Sequence, residues 1–455
     1  MPEARQLPIN LEKEFLVPRI VCWCLNLAYL ALLILGFPWI VWAMLRKGKY
    51  REGYREKFFG WVAQRDHQRP CAWFHAVSVG EVNLLAKTVA QFHRQFPEWE
   101  IVLSTTTQTG FELACRKYSD YRVFYCPLDF SWAVRRAVHR IQPCLLVLAE
   151  LELWPNLIQA AREQGCCVAV VNGRLSDQSY RGYRRIRWLV ARILKQIDLV
   201  AVQDENTGAR FLELGARPEV VHVTGSLKYD GAETNRANPK TSQLREVAGI
   251  AEGDIVLMAG STQHPEEAYA LDIFQHLVGD YPQLRLVLVP RHRERFDEVA
   301  HLLERSEVAW SRRSELPATG AKNQHPAARI LLVDTIGELG AWWGVAQIAF
   351  VGGSFGKRGG QNMLEPAAYG AAVSFGPHTR NFRDIVGALL AANAAHVVHD
   401  GAELEEFVRH CLQEPSAAQR LGQNAQRLVA SQLGATRKTV DLLTVTLQRT
   451  SLKAA

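Results

Sequence analysis

The chain has 455 residues, 48% hydrophobic and 22% charged, with a net charge of +7. That is room for about two ordinary domains with sizeable cores, and it excludes long disorder. The charge suits work beside anionic lipid headgroups or on anionic substrates; it is too modest for nucleic-acid binding, and no basic stripe with interleaved aromatics occurs.

Nine cysteines without a C-x-x-C pair read as scattered thiols in a reducing compartment. Fourteen histidines without H-E-x-x-H spacing give no sign of a structural metal.

The first element is an apolar run from Ile20 to Leu45. At about 1.5 Å per residue it exceeds the roughly 30 Å hydrocarbon core, so it predicts one transmembrane helix within an anchor segment, residues 1–45. Arg46, Lys47, Lys49, Arg51, Arg55 and Lys57 follow it, whereas Arg5, Lys13 and Arg19 before it are offset by Glu3, Glu12 and Glu14. This asymmetry predicts a single-pass protein of the inner membrane with its body on the cytoplasmic face. The run is too long for a cleaved signal peptide. Trp23, Trp39 and Trp42 near its ends suit a lipid interface better than a buried core helix.

Short β-rich runs then alternate with helical patterns. The first set is Ala72–Val79, Ile101–Thr106, Val123–Pro127, Cys144–Glu150, Cys167–Asn172, Leu199–Gln203 and Val221–Gly225. Strands apolar on both faces and separated by helices predict a parallel sheet covered on both sides. A polar stretch, Lys228 to Ser242, reads as the linker. The pattern restarts with Ile255–Ala259, Leu284–Pro290, Ile330–Asp334, Ile348–Gly352, Ala372–Phe375 and His396–Val398. Arg312–Ala328 reads as a loop and Ser416–Leu447 as mostly helical. The body is therefore expected to be two doubly wound α/β domains, residues 46–227 and 228–455, with ligands beyond the carboxyl ends of the strands in the cleft between them.

Candidate chemistry sits at those strand ends. Ser78-Val-Gly-Glu81 opens a helix after the first strand; Glu81 there serves either as a helix cap or as a base for an attacking hydroxyl. Glu150-Leu-Glu-Leu-Trp-Pro-Asn156 ends the fourth strand with two carboxylates on one face, and spacing does not choose between Glu150 and Glu152. In the second domain Gly260-Ser261-Thr262, Pro290-Arg291-His292 and Gly352-Gly353-Ser354 each place donors where a phosphate can lie. After the last of these come Lys357, Arg358, Gly359 and Gly360, then Gln361-Asn-Met-Leu-Glu365 opening a helix. Glu365 serves either to accept ribose hydroxyls or to compensate the helix dipole.

Taken together, His75-Ala-Val-Ser-Val-Gly-Glu81, Glu150-Leu-Glu-Leu-Trp-Pro-Asn156, Gly225-Ser-Leu-Lys-Tyr-Asp230, Pro290-Arg-His292, Asp334-Thr-Ile-Gly-Glu-Leu339, Phe350-Val-Gly-Gly-Ser354 and Gly376-Pro-His-Thr379 resemble the motifs of the 3-deoxy-D-manno-octulosonic acid (Kdo) transferases. The likeness runs in order from the anchor to near the C-terminus. It implies a GT-B fold and an inverting transfer of Kdo from CMP-Kdo to a lipid A precursor, with no metal, no other cofactor and no obligatory protein partner. By the same resemblance Glu81 falls on the base, and Glu150 and Lys228 on residues that stabilise the transition state. Pro290, Arg291, Ile336, Gly337, Glu338, Asn362, Met363, Leu364 and Glu365 fall on the CMP-binding segments. Ser261, Thr262, Gly353 and Ser354 are added to the donor side by their turns.

Three positions depart from the family pattern: Gln361 stands where the family has His, Met363 where it has Pro, and Ile336 where it has Met. Gln361 keeps a donor but carries no charge, which leaves open a different nucleotide sugar; a non-catalytic sugar-nucleotide binder at the membrane is the other rival. On the acceptor side, Asn172-Gly-Arg174 continues the likeness and makes Arg174 a candidate. Arg181 to Lys195 reads as a basic helix, either half-buried with a solvated face or lying on anionic headgroups.

Overall fold

The computed structural model describes residues 19–47, 52–66, 68–316 and 328–454. Lys49, Arg51, the charged residues ahead of Arg19 and the centre of the Arg312–Ala328 segment lie outside these residues. The chain divides into two units, one of residues up to Gly231 joined by Leu433 onward, the other Ala232–Gln432.

The first unit opens with α1 (Arg19–Lys47), in which Ile20–Trp39 is long and apolar enough to cross a membrane. After α2 (Tyr54–Phe59) come β1 (Cys71–His75), α3 (Val79–Leu84), β2 (Glu100–Thr105), β3 (Arg122–Tyr125), β4 (Leu145–Ala149), β5 (Cys167–Gly173), β6 (Leu199–Val202) and β7 (Val221–Val223). The strands form one sheet in the order β3-β2-β1-β4-β5-β6-β7, parallel throughout. Every residue of β1, β4, β5 and β6 is buried, which is why they read as unbroken apolar runs.

The second unit repeats the plan. It has β8 (Ile255–Thr262), β9 (Leu284–Pro290), β10 (Trp310–Arg312), β11 (Ile330–Leu332), β12 (Ile348–Val351), β13 (Ala372–Phe375) and β14 (His396–Val397), ordered β10-β11-β9-β8-β12-β13-β14. All its neighbours are parallel too. The edge strand β10 is not among the expected strands and meets the expected Arg312–Ala328 loop only at Arg312, because its three residues carry no apolar run.

The division of the chain differs from the expected 228–455 at both ends. Lys228–Gly231 belongs to the first unit, and the C-terminal helix Ala435–Ala454 returns to it. Leu443 and Leu447 join the core around Phe92, Val147 and Ala169. The Asp230 carboxylate caps this helix, accepting from Gly434 N at 2.6 Å and from Thr436 N. The basic stretch Arg181–Lys195 is two helices broken at Ile186: Asp177–Arg185 buries nothing, and Arg187–Leu194 buries Val190, Ile193 and Leu194.

Candidate active site

Three non-glycine residues with left-handed backbone sit at strand ends: Glu150 (φ 55°) after β4, Asn172 (φ 55°) near the end of β5 and Ser261 (φ 56°) near the end of β8. Such a conformation costs about 1–3 kcal/mol and persists where surrounding bonds fix it. Asn172 Oδ1 accepts from Leu227 N at 2.9 Å, which sets half-buried Lys228 beside the carboxyl end of β5.

In the first unit Ser78 caps α3, and the Glu81 side chain folds back over the start of that helix. Glu81 Oε2 accepts from Val77 N at 2.8 Å and Oε1 from Ser78 Oγ at 2.9 Å. The carboxylate thus caps the helix and also joins a cluster of charged groups. Burial is the main cause raising the Glu81 pKa, and the Glu150 charge adds to it, while Val77, Ser78 and Arg174 oppose. Arg174 Nε lies 3.8 Å from Glu150 Oε2.

Glu152 is the third carboxylate. It accepts from Trp154 Nε1 at 2.8 Å. Burial first, then the like charges of Glu81 and Glu150, push its pKa up to about 7. The Trp154 ring meets His75 edge-on at 6.1 Å. His75 is wholly buried, held neutral by burial, with its pKa lowered to about 4. Glu152 and Trp154 therefore belong to the site; only their position in the Glu150–Asn156 motif signalled it.

A consequence is testable. A carboxyl raised from its ordinary value to about 7 contributes stability below the ordinary value and loses it as pH rises through 7. Glu152→Gln, which keeps an acceptor for Trp154, should melt higher than the parent above pH 7. The difference should vanish below about pH 4.5. Thermal melts across that range check it.

In the second unit, Arg291 is exposed after β9, its backbone N donating to Thr262 O at 3.0 Å. Its charge acts on Glu365, whose pKa burial raises and whose carboxylate accepts from Asn362 Nδ2 at 3.0 Å and from Trp343. Arg291, Asn362 and Glu365 are thus brought together. The helix they adjoin is short, Leu364–Ala368. Met363 and Leu364 turn into the core at 0% and 3% exposure, so these expected donor contacts have buried side chains. Pro290 is likewise buried and serves to place Arg291.

The glycine turns differ from expectation. Gly353 N, Ser354 N and Phe355 N donate to the Glu266 carboxylate at 2.7, 3.0 and 3.2 Å, and Gln263 N donates at 2.8 Å. The anion in this turn is the chain's own carboxylate, so the Gly353 and Ser354 donors are already engaged. A Cβ at Gly352 would stand 2.6 Å from Glu266 Oε2 and from Thr262 Cα. Ser261 and Thr262 are buried beneath it, with Thr262 Oγ1 turned to Val289 O. Both pack around Glu266, a residue whose importance no local motif announces.

The Asp334–Leu339 segment splits. Glu338 is held by Arg313 through bonds of 3.0 and 2.9 Å and by Thr335 Oγ1 at 2.6 Å. Burial opposes the charged form, but Thr335 and Arg313 keep its pKa below the ordinary range. Its carboxylate is committed to the protein. Ile336 is 78% exposed and Gly337 takes φ 92°, so this tip is the part open to a ligand.

Beyond the Gly-rich loop lies an open pocket of about 350 Å³ lined by Lys357, Gly359, Pro377, His378, Thr379, Arg380 and Arg383. A Cβ at Gly359 would come within 2.6 Å of Arg380 Cγ, so glycine lets the loop approach that side chain. Gly360 packs against Met363 and Thr379, which ties the pocket wall to the Asn362 segment. No sequence motif marks Arg380 and Arg383, since arginines just after a Gly-Pro-His-Thr turn look like ordinary surface charge.

The family model described as 3-deoxy-D-manno-octulosonic-acid transferase matches residues 52–231, within the first unit. A 3-deoxy-D-manno-octulosonic acid transferase of Haemophilus influenzae is 33% identical, covering 94% of this chain and 97% of that protein. One of Bordetella pertussis is 34% identical over 90% and 96%. Among solved structures, UDP-GlcNAc 2-epimerase of Neisseria meningitidis matches with TM-score 0.51 at 11% identity, covering 83% of this chain and 100% of that one. That likeness is one of fold, two Rossmann-like units in the GT-B manner. Identity of this level along nearly the whole chain places it in the 3-deoxy-D-manno-octulosonic acid transferase family, and the protein is a glycosyltransferase.

Proposed function

We propose that the enzyme transfers Kdo from CMP-Kdo to a lipid A precursor with inversion, without metal, while held at the cytoplasmic face of the inner membrane by α1. The observation that carries the reading is the coupling of Glu81, Glu150, Glu152 and Arg174 at the carboxyl end of one sheet. Family membership supports Kdo as the transferred sugar, and the motif resemblance suggests CMP-Kdo as donor and a lipid A precursor as acceptor.

In this mechanism Glu81 takes the proton from the acceptor hydroxyl as its oxygen attacks the anomeric carbon from the face opposite CMP. The carbon passes through an oxocarbenium-like state, and the bond to the phosphate oxygen breaks with its electron pair leaving on CMP. Glu150, oriented by Arg174, offsets the positive charge at carbon. Lys228 and Arg291 offset the negative charge gathering on CMP. The exposed tip at Ile336 and Gly337 suits the nucleoside, and Asn362 with Glu365 the ribose. The cationic pocket of Lys357, Arg380 and Arg383 suits the anionic groups of the donor.

The test is a transfer assay with purified enzyme, CMP-Kdo and a tetra-acylated lipid A precursor in EDTA, read by mass spectrometry. A product heavier by one or more Kdo units is expected. No product while CMP still binds would overturn the sugar or acceptor assignment and point to Gln361. On the donor side, Arg380→Ala or Arg383→Ala should raise the KM for CMP-Kdo about tenfold or more with kcat little changed. An unchanged KM removes that pocket from the site.

A further inference from the structure

α1 is apolar nearly all round, yet it carries Asn26 and Tyr29 in its first half. A polar side chain in hydrocarbon is costly and turns toward protein. Asn26 is 5% exposed. Its Nδ2 donates to Ser131 Oγ at 2.8 Å and its Oδ1 accepts from Ser131 N at 3.0 Å. It thereby caps the helix Ser131–Ile141, for which the preceding Phe130 offers no side-chain cap. One turn on, the Tyr29 hydroxyl donates to Asp129 Oδ2 at 3.3 Å, and its ring meets Phe130 edge-on. The same Asp129 carboxylate accepts from Asn156 N at 3.0 Å and Leu157 N at 2.8 Å, at the start of the helix that follows the Glu150–Trp154 segment.

Cys22 is buried in the core of the first unit, and Leu33 is half-buried. Near the far end the Tyr54 hydroxyl reaches Met44 Sδ at 4.0 Å. Cys22, Asn26, Tyr29, Leu33 and Met44 lie on one stripe of the helix at 3.6 residues per turn. From Cys22 to Met44 that stripe runs about 33 Å, more than the roughly 30 Å of hydrocarbon. The globular unit therefore meets α1 at both ends of the length a crossing would place in lipid, at Cys22 to Tyr29 and again at Met44. A perpendicular span would draw Ser131, Asp129 and two capped helix ends to the same depth.

The rest of α1 is bare: Trp23, Leu27, Leu30 and Ile34, about a quarter-turn from the stripe, and Ile20 and Leu35, on the far side, are all exposed. Beside the docked stripe, Trp132 stacks on Phe130 at 4.6 Å and donates to Phe58 O. Phe59 and Trp61 are exposed next to it, with the Arg136 and Arg140 guanidinium groups 5.3 and 5.7 Å from the Trp61 ring. Exposed aromatics with arginines are the chemistry of a headgroup layer.

We infer that α1 lies in the plane of an anionic lipid leaflet and does not cross it: Asn26 and Tyr29 pin one face to the catalytic unit, and the other face enters the lipid. The Trp61, Trp132 and Arg136 collar then sits at headgroup level, and the start of α1 is on the same side as the carboxylate cluster. This rests on the membrane reading above and replaces the single crossing expected from hydropathy.

The test places a protease-cleavable epitope tag ahead of Met1 of the full chain. Inverted inner-membrane vesicles and spheroplasts are then digested. The expected result is a membrane-pelleted protein whose tag is removed in inverted vesicles and protected in spheroplasts. Removal in spheroplasts alone means a crossing and overturns the inference while leaving the membrane reading intact. A protein found in the soluble fraction overturns both. A second measurement is the melting temperature of detergent-solubilised Asn26→Leu. A docked helix loses its hold and the temperature falls. A lipid-bathed helix sheds a polar group, and an unchanged or higher temperature overturns the docking.

Discussion

Glu81→Gln is expected to bind CMP like the parent and to transfer Kdo about a hundredfold to ten-thousandfold more slowly, the usual worth of a positioned base. Glutamine keeps the length of the side chain and an oxygen for Val77 N, so α3 should stay capped. What it loses is the ability to take a proton. A stopped-tube assay of kcat, paired with a CMP titration, separates the two. Unchanged turnover would remove Glu81 from the base role and leave it a capping residue.

The parent enzyme's pH profile bears on the same residue. Burial and the neighbouring Glu150 raise the Glu81 pKa, so its ionised fraction, and the rate with it, should fall on acidification at a pH above the ordinary carboxylate range. Glu152 adds to this, because its ionisation near 7 sets another negative charge beside Glu81. Removing that charge in Glu152→Gln should let Glu81 ionise at lower pH and move the acid limb downward. A limb that stays in place would separate the two carboxylates.

Much of this was legible in the sequence because the physics is local. All seven strands of the first sheet and six of the second are apolar runs bounded by turn residues, so period and length identify them. Glu150 and Arg291 stand directly after strands and Glu81 in the first turn of the helix that follows one, positions that a doubly wound sheet turns toward ligands, so the sequence marks all three. What was hidden depends on partners far apart in sequence. Glu266 looks like a surface acid on a helix until Gly353–Phe355, nearly ninety residues later, fold onto it. Glu338 looks free until Arg313 grips it. Leu443 and Leu447 say only that the last helix has an apolar stripe; which unit supplies the matching face is a tertiary fact. Gly-rich turns hide their partner for the same reason: backbone N–H groups attract any anion, and the one that Gly353–Phe355 bond is within the chain.

That internal anion leads to the second large effect. Glu266 is 1% exposed, and its carboxylate satisfies four backbone N–H groups, from Gln263, Gly353, Ser354 and Phe355. Glu266→Ala would leave these donors buried without partners, at a cost on the order of 3–5 kcal/mol. Glu266→Gln should lose less: one carbonyl oxygen remains to accept, while the new amide N–H₂ faces donors it cannot satisfy. The loop so released runs on through Lys357 and Gly359 to Asn362, so CMP affinity should fall together with the unfolding free energy. Urea unfolding and a CMP titration on the same preparations test the pairing. Arg380→Ala supplies the contrast, since an exposed pocket cation should weaken donor binding without lowering stability. A Glu266→Ala protein as stable as the parent would mean that the loop is held by its own turn geometry and not by the carboxylate beneath it.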